Sequence, residues 1–272
     1  MFDISVIIPA YNRIDTLPYC LASILAQTYS PLEIIIIDDA SSDSTGSLLE
    51  MFDYQRVRLI RHTERLGAQH ARNTGVKHAK GSWIAFLDSD DEWLPEKLQQ
   101  QIDVLQRSKK LICCCDGFQK NQSLLSLGLL DDLKTETVFS QLLEKSSLMY
   151  QGLLVHRDCL RAINGLDNEV PAHQEWDTMI RLAELFDFSL LKDPLFVYHL
   201  HGGPSITKDI LRRADGYAYV VEKHYWKILE SGGANLLNKH LLNISKEYLR
   251  AGSIELSIKY ESMTLEGKIL NI

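Results

Sequence analysis

Short apolar runs alternate with longer stretches of helically spaced apolar residues along the first part of the chain. The apolar runs have the length and β-branched composition of buried strands, and they cover residues 4–8, 32–37, 57–60 and 83–87. The intervening stretches have the spacing of amphipathic helices, and they cover residues 16–28, 45–52 and 67–80. This alternation predicts an α/β fold with a mostly parallel central sheet flanked by helices.

The pattern becomes less regular in the second half. Four further elements are predicted there: a helix over 96–108, strands over 111–115 and 152–156, and a helix over 175–186. Residues 121–150 are locally hydrophobic without a clear period. Beyond residue 204 the pattern is helical and has no convincing strand. We therefore predict a boundary at residues 204–205, followed by a helical C-terminal extension over residues 205–272.

Three carboxylates follow the fourth predicted strand within four positions, at Asp88, Asp90 and Asp91. Such neighbours disfavour one another's ionisation, so we expect a cation to compensate them. The alternative is a helix cap, because Pro95 suits the first turn of a helix, but a cap needs only one short polar side chain. Mg²⁺ and Mn²⁺ prefer oxygen ligands and share them with phosphates. The pattern therefore predicts a Mg²⁺ or Mn²⁺ site that faces a diphosphate.

Asp39 and Tyr11 follow the second and first predicted strands, whose carboxyl ends face the same crevice in a parallel sheet. A tyrosine ring can stack on a base, and a carboxylate can accept a hydrogen bond from the imide N–H of uracil. The alternative is that Asp38 or Asp39 caps the helix at Thr45, although the hydroxyls between Ser41 and Thr45 can also do this. We favour ligand binding.

Arg72 lies on the helix before the Asp-x-Asp strand. Its planar guanidinium suits phosphate oxygens. From the sequence alone, a surface ion pair explains this arginine better than a diphosphate contact does.

Length, charge and composition exclude several classes of protein. The chain has 272 residues and a net charge of -7, which argues against general nucleic-acid binding. No signal-peptide pattern opens the sequence, and the longest apolar runs are too short to span a membrane. Of its five cysteines, Cys113, Cys114 and Cys115 are consecutive, and we expect them to be buried hydrophobes in a reducing compartment. We expect a cytoplasmic protein.

Four segments in order carry a family resemblance: residues 5–13, 37–43, 71–75 and 86–91. Together they closely resemble the family 2 glycosyltransferases of bacterial surface-polysaccharide synthesis, which are inverting enzymes with a GT-A fold. The resemblance covers roughly residues 4–207. It implies a GT-A domain over residues 1–204, with a nucleotide-sugar-binding half over 1–115 and an acceptor half over 116–204.

The resemblance also implies roles for residues of the first half. The acid that matches Asp39 holds uracil, the arginine that matches Arg72 lies near the nucleotide, and the matching acids of the Asp-x-Asp motif serve ribose and metal. By this match, Asp90 is the first candidate for a metal ligand and Asp88 is the second. The implied nucleotide-binding set is Pro9, Ala10, Tyr11, Arg13, Asp39, Arg72, Asp88 and Ser89.

In the second half, residues 165–169 resemble the family's Gly-x-Asp-Glu segment. Residues 174–177 stand where many members have Glu-Asp-Trp-Asp, and the second acid of that motif is the family's catalytic base. This match places Glu175 in the role of the base, although the chain departs from the motif with a glutamine at 174 and a glutamate at 175. Asp177 and Glu169 are the fallback candidates, and a structural Glu175 that caps the helix is the alternative.

Residues 198–205 resemble the family's closing Tyr-x-x-His segment. The match implies that His201 contacts the nucleotide phosphates or the metal. A purely structural histidine is the alternative.

The implied activity is transfer of a hexose or N-acetylhexosamine from a UDP-sugar to a hydroxyl of a saccharide acceptor, with Mn²⁺ or Mg²⁺ as cofactor. Related enzymes extend polyprenyl-diphosphate-linked saccharides for polysaccharides such as O-antigen and lipopolysaccharide, which implies peripheral contact with the inner face of the membrane. One alternative is a non-catalytic nucleotide-sugar-binding protein, which the glutamine at 174 favours. A sugar-phosphate nucleotidyltransferase fits less well, because the loop after the first strand lacks glycine.

Overall fold

A computed structural model describes residues 2–50, 56–121, 123–200 and 209–264 of the chain. The strands are β1 (Ile4–Ala10), β2 (Glu33–Asp38), β3 (Val57–Arg61), β4 (Trp83–Phe86), β5 (Glu92–Trp93), β6 (Ile112–Lys120), β7 (Leu124–Ser126), β8 (Leu153–His156) and β9 (Phe188–His199). The α-helices are α1 (Leu17–Leu25), α2 (Thr45–Glu50), α3 (Ala68–His78), α4 (Lys97–Ser108), α5 (Val138–Glu144), α6 (Arg157–Ala162), α7 (Gln174–Leu185), α8 (Ile210–Lys223), α9 (Tyr225–Arg250) and α10 (Ile254–Ser262). Short 3₁₀ helices lie at Thr135–Thr137 and Tyr150–Gly152.

The strands form one sheet in the order β3-β2-β1-β4-β8-β6-β9-β5, and β7 pairs with β6. The first four strands of this order are parallel, as the alternating pattern predicts. Beyond β4 the sheet is mixed, because β8 runs antiparallel to both β4 and β6 while β9 is parallel to β6. The predicted α/β class with a helix-flanked sheet is confirmed, and the parallel pairing holds for the half that contains the first four strands.

The strand β9 is the largest element that the sequence pattern misses. Lys192, Asp193 and Pro194 interrupt its apolar residues, and proline is uncommon inside a paired strand. The pairing of β9 with β6 shifts its register at this interruption. Cys115 pairs with Leu191, and the next pair is Asp116 with Pro194. The strand predicted over 111–115 therefore continues to Lys120.

Every residue of β1 and β2 is buried, as expected for parallel strands covered on both faces. The alternation along β1 sends Val6 and Ile8 into a core with residues of α1 and α4. Ile7 points to the opposite face, where Gly75 of α3 lies so close that a Cβ added to the glycine would clash with the Ile7 side chain. These two packed faces hold the carboxyl end of β1 in place.

Residue contacts divide the chain into two compact units. The first unit comprises residues 1–138, 147–166 and 181–201, and it contains the sheet. The second comprises residues 139–146, 167–180 and 202–272 and includes α8, α9 and α10. Within the second unit, the rings of Tyr248 and Tyr260 stack with centroids 5.5 Å apart. The boundary predicted at 204–205 lies outside the described residues.

The predicted burial of the cysteine triplet is confirmed. Cys113, Cys114 and Cys115 are buried and free of disulfides, as are Cys20 and Cys159. Burial raises the pKa of Cys113 to about 12 and that of Cys115 to about 11, so these thiols stay protonated. Within the described part of the chain, no helix combines the length and the hydropathy that crossing a membrane requires.

Candidate functional site

The carboxyl ends of β1, β2 and β4 meet at one edge of the sheet, because these strands are parallel neighbours. The N–H of Asp39 donates to the carbonyl of Ala10 over 2.8 Å, which joins the first two ends. Directly beyond them, Asn12 and Ala40 adopt left-handed backbone conformations with φ of 52° and 59°. Such conformations are uncommon for residues other than glycine and cluster at functional sites.

Asp88, Asp90 and Asp91 are held by donors from elsewhere in the first unit. Arg72 Nη2 lies 2.5 Å from Asp88 Oδ1, and Arg13 Nη2 lies 3.2 Å from Asp90 Oδ2. None of the three acids caps α4, whose N-cap residue is Glu96 and which has no side-chain cap. The helix-cap explanation of the acidic cluster is therefore wrong.

Gln151 connects two of these acids and was not among the predicted site residues. Its side-chain amide donates to Asp88 Oδ2 over 3.0 Å and to Asp91 Oδ2 over 2.5 Å. The residue is only 1% exposed, and its backbone carbonyl accepts from the indole N–H of Trp93. A lone glutamine just before a predicted strand carries no sequence signal that would have identified this contact.

Asp91 is the innermost acid of the cluster. It is buried, and its second carboxylate oxygen accepts the backbone N–H of His199 over 2.9 Å. Burial, followed by the charges of Asp88 and Asp90, raises the pKa of Asp91 well above its ordinary value. A nearby cation would relieve this unfavourable accumulation of negative charge.

The accessible carboxylates of the cluster are Asp88 and Asp90, whose side chains are each 25% exposed. The described residues contain no group of three or more His, Cys, Asp or Glu side chains that could by itself hold a metal ion. Mg²⁺ is usually held by one or two carboxylates, water and substrate phosphates, so two accessible aspartates beside a third, buried acid fit this pattern. His201, the third predicted metal ligand, lies outside the described residues.

Asp39 is buried and accepts three hydrogen bonds. Its Oδ1 lies 2.8 Å from His62 Nδ1 and 2.9 Å from the backbone N of Leu66, while its Oδ2 accepts from the backbone N of Gly67 over 2.7 Å. Asp39 thus contacts the start of α3 and not that of α2. His62 was also missed by the sequence analysis.

The cap expected at Thr45 comes from a different acid. Asp43 Oδ1 accepts the N–H of Thr45 over 2.9 Å, while Asp38 Oδ1 accepts the N–H of Ser41. Capping of α2 by Asp38 or Asp39 is therefore wrong.

The other predicted nucleotide-binding residues lie along the same edge. Pro9 and Ala10 end β1 in buried positions, and Ser89 is buried within the acidic loop. The ring of Tyr11 lies 4.0 Å from the guanidinium carbon of Arg65, so at most one ring face is open to a base.

Arg72 is buried rather than at the surface. Its guanidinium carbon lies 4.3 Å from the centroid of the Tyr150 ring, in addition to the ion pair with Asp88. Arg72 does form an ion pair, as the alternative predicts, but the pair is not at the surface: the arginine is buried inside the first unit.

The three candidate bases belong to the second unit and have different surroundings. Glu175 is partly buried and is the second residue of α7, so it lies inside the helix rather than at its N-cap. Glu169 is exposed. Asp177 is fully buried and contacts Lys223 Nζ at 2.7 Å and His224 Nε2 at 2.9 Å.

These contacts favour a structural role for Asp177. Burial acts to raise the pKa of Asp177, but hydrogen bonds from His224 and Lys223 hold that pKa below its ordinary value. A general base needs to reach the proton that it removes and to have a pKa near the working pH. A buried, ion-paired and strongly acidic carboxylate meets neither condition.

Asp177→Asn is expected to lower the free energy of unfolding at neutral pH by about 1–3 kcal/mol. The uncharged amide interacts more weakly with Lys223 and His224 than the buried carboxylate does. Asp177 has a depressed pKa in the folded protein, so its contribution is present above the unfolded value of about 4. That contribution is lost as the pH falls through the folded pKa. Urea unfolding of both proteins at pH 7, pH 4 and pH 2.5 should show the gap between them shrinking below pH 4. A gap that stays constant with pH would contradict this role.

A model of the family described as "Glycosyl transferase family 2" matches residues 5–159 of the 272. The chain is 42% identical over 102 residues to the Escherichia coli protein named UDP-Glc:alpha-D-GlcNAc-diphosphoundecaprenol beta-1,3-glucosyltransferase WfgD. That alignment covers 38% of this chain but only 40% of the relative's length, and a second E. coli relative, WfaP, is covered to 42%. The amylovoran biosynthesis glycosyltransferase AmsB of Erwinia amylovora is 28% identical over 253 residues, covering 80% of this chain and 82% of AmsB.

Solved structures show the fold. TarS of S. aureus, solved as residues 1–349 in complex with UDP-GlcNAc, superposes with a TM-score of 0.67 at 15% identity, covering 98% of this chain and 93% of that one. The mannosyltransferase PcManGT from Pyrobaculum calidifontis, solved with GDP-Man and Mn²⁺, has a TM-score of 0.62 at 20% identity and covers 96% of this chain and 79% of that one. The predicted GT-A fold is confirmed by these likenesses. Since the family model spans more than half of its length, this chain belongs to glycosyl transferase family 2.

Proposed function

We propose that this protein is an inverting glycosyltransferase that moves a hexose or an N-acetylhexosamine from a UDP-sugar to a hydroxyl of a lipid-linked saccharide acceptor. The single observation that carries this proposal is the acidic loop after β4, in which Asp88 pairs with Arg72 and Asp90 with Arg13. Arginines beside an accessible aspartate suit a diphosphate and its cation. The names of WfgD and WfaP, which describe a UDP-glucose donor, support the choice of UDP.

The donor is bound along the carboxyl edge of the sheet. Asp39 accepts the imide N–H of uracil, and the open face of Tyr11 stacks on the base above Pro9 and Ala10. Asp88 and Ser89 bind the ribose, while Arg72 and Arg13 lie near the diphosphate. The ion pairs of both arginines offset the charges of Asp88 and Asp90 before the donor arrives.

Transfer with inversion is a single displacement at the anomeric carbon. The acceptor oxygen forms its bond to that carbon as the bond to UDP breaks, and Glu175 takes the acceptor's proton. No glycosyl-enzyme intermediate is needed. A Mg²⁺ or Mn²⁺ ion held by Asp90, with Asp88 and His201 as further candidates, would supply charge neutralisation for the departing diphosphate.

The acceptor belongs to polysaccharide or O-antigen synthesis in this proposal. The WfgD and WfaP names describe acceptors carried on diphosphoundecaprenol, and AmsB is named for amylovoran biosynthesis. A polyprenyl-diphosphate-linked saccharide would draw the protein to the inner face of the cell membrane from the cytoplasm. Contact with that surface is part of the proposal.

The test is a panel of UDP-sugars scored for UDP release, with and without Mn²⁺ or Mg²⁺, and with and without lipid-diphosphate-linked saccharides. We expect one donor to be consumed only when both the metal and an acceptor are present. Donor binding without turnover on any acceptor would favour the non-catalytic binding protein.

The environment of Gln174 weakens that alternative. Its side chain is buried and donates to the backbone carbonyl of Val170 over 3.2 Å, so it has a structural contact at the first position of the motif. A glutamine can fill this position without removing the acid at 175. Family membership and the loop without glycine after β1 also disfavour a nucleotidyltransferase.

Asp39→Ala is expected to weaken UDP binding about tenfold or more without changing the preference between Mn²⁺ and Mg²⁺. The substitution removes the acceptor of the imide N–H, and hydrogen bonds to charged groups contribute about 1.5–3 kcal/mol. Calorimetric titration of UDP with each metal measures both quantities. Unchanged UDP affinity would remove the uracil assignment.

Gln151→Leu is expected to weaken UDP binding about tenfold in the presence of Mn²⁺, because two carboxylates lose their shared donor. Gln101→Leu is the matched control. Gln101 is equally buried, but its amide donates to the backbone carbonyls of Cys113 and Gly152 instead. Both variants should lose stability, and only Gln151→Leu should lose metal-dependent affinity in calorimetry. Equal affinities for the two variants would contradict this role of Gln151.

A further inference from the structure

His62 stands directly behind the acid proposed to recognise the base. It follows β3, and its backbone N–H donates to the carbonyl of Asp38 over 2.9 Å, so its Cα is tied to the end of β2. The side chain is only 9% exposed. A buried histidine this close to a candidate ligand contact has little freedom to move independently of it.

Both ring nitrogens of His62 have partners. Nδ1 lies 2.8 Å from Asp39 Oδ1, and Nε2 lies 2.9 Å from the hydroxyl of Thr74 on α3. When the hydroxyl donates to Nε2, the neutral ring carries its proton on Nδ1 and donates it to the carboxylate. The ring therefore connects Asp39 to a helix of the first unit through two hydrogen bonds.

The contacts of Asp39 leave a specific place for a ligand. A carboxylate has about four acceptor positions on its two oxygens. Oδ1 receives His62 and Leu66, while Oδ2 receives only Gly67 among the described contacts. The remaining position is on Oδ2. Without the His62 contact, only the backbone N–H groups of Leu66 and Gly67 would restrain the carboxylate, and a tilt of its plane would present that position in a different direction.

We propose that His62 is a positioning residue for base selection: it holds the Asp39 carboxylate in the orientation in which Oδ2 accepts the imide N–H of uracil. This inference rests on the proposed function, because it takes a uracil nucleotide as the ligand of Asp39. His62 touches Asp39 and Thr74 and does not itself contact the base. Selectivity for uracil over a base that lacks the imide N–H therefore depends on a residue outside the ligand contact.

Two substitutions separate the two ends of the ring. The side-chain amide of asparagine can replace Nδ1, and the longer amide of glutamine can replace Nε2. His62→Asn should therefore keep the donor to Asp39, whereas His62→Gln should keep only the contact to Thr74. The probes are UDP, UDP methylated at N3, and inorganic diphosphate, each measured by calorimetry with Mn²⁺.

We expect wild type to bind UDP about tenfold or more tightly than N3-methyl-UDP, since the methyl group replaces the hydrogen donated to Asp39. His62→Gln should lose most of that preference and bind UDP about tenfold more weakly. His62→Asn should retain UDP affinity within about threefold, and all three proteins should bind inorganic diphosphate alike.

The outcomes distinguish this inference from the function on which it rests. If wild type binds UDP and N3-methyl-UDP equally, the uracil assignment fails and this inference fails with it. If wild type discriminates and His62→Gln discriminates equally well, only the role of His62 is overturned. Parallel losses for UDP and inorganic diphosphate in His62→Gln would also overturn it, because they indicate a general structural defect.

Discussion

Glu175→Gln is expected to slow sugar transfer by about two to four powers of ten, the usual contribution of a positioned general base. The substitution keeps the size of the side chain and removes its ability to accept a proton. UDP-sugar and metal binding should stay near wild type, because the proposed donor contacts lie on other residues. Single-turnover kinetics with saturating donor, beside calorimetric titration of UDP, measure the two effects separately.

The pH dependence gives a second measurement on the same variant. If the acidic limb of the wild-type pH–rate profile reports ionisation of the base, that limb should flatten in Glu175→Gln. Glu169→Gln and Asp177→Asn are the comparison variants, measured where each is folded. If Glu175→Gln retains most of its turnover while one of these loses it, the role of base belongs to that other residue.

Asp90→Ala is expected to abolish transfer and to weaken UDP binding chiefly when Mn²⁺ or Mg²⁺ is present. Asp90 is one of the two accessible carboxylates of its cluster and the first candidate for the metal, so its loss leaves the diphosphate charge uncompensated when the donor binds. The variant also frees Arg13 from its ion pair. Metal-free UDP binding should therefore fall little, and this separates a metal role from a purely structural one.

Asp158→Ala is the matched control for Asp90→Ala. Asp158 also pairs with an arginine, Arg161 at 2.9 Å, but both of these side chains are exposed. Exposed pairs contribute little, so activity and metal-dependent affinity should not change. The decisive observation against the metal proposal would be wild-type transfer that survives exhaustive chelation.

The local pattern of apolar and polar residues was sufficient to predict the first four strands and the edge of the sheet at which the candidate site lies. Buried parallel strands are continuous apolar runs, and the polar residues that end such runs must lie at their carboxyl ends. For this reason the sequence pattern alone assigns Asp39 and the acidic loop at Asp88 to one edge of the sheet. The same reasoning could not predict β9, since Lys192 to Pro194 break its apolar pattern and its pairing with β6 and β5 stabilises it.

Partners distant in sequence could not be predicted in the same way. Gln151 lies 60 residues from Asp91, and His62 lies 23 residues from Asp39. Asp177 is in α7, whereas its partner Lys223 is the last residue of α8. Nothing in the local sequence around a single glutamine, histidine or lysine specifies which carboxylate it will meet.

The amino-acid sequence was enough to establish the α/β class, the parallel half of the sheet, the acidic loop and the resemblance to a family. These follow from residue types at short spacings, which the chain carries in any conformation. Only the folded chain shows that Arg72 is buried against Asp88 and that the Asp177 carboxylate contacts Lys223 and His224. Those outcomes depend on which donors packing brings within hydrogen-bond distance, and that distance is set by the whole fold.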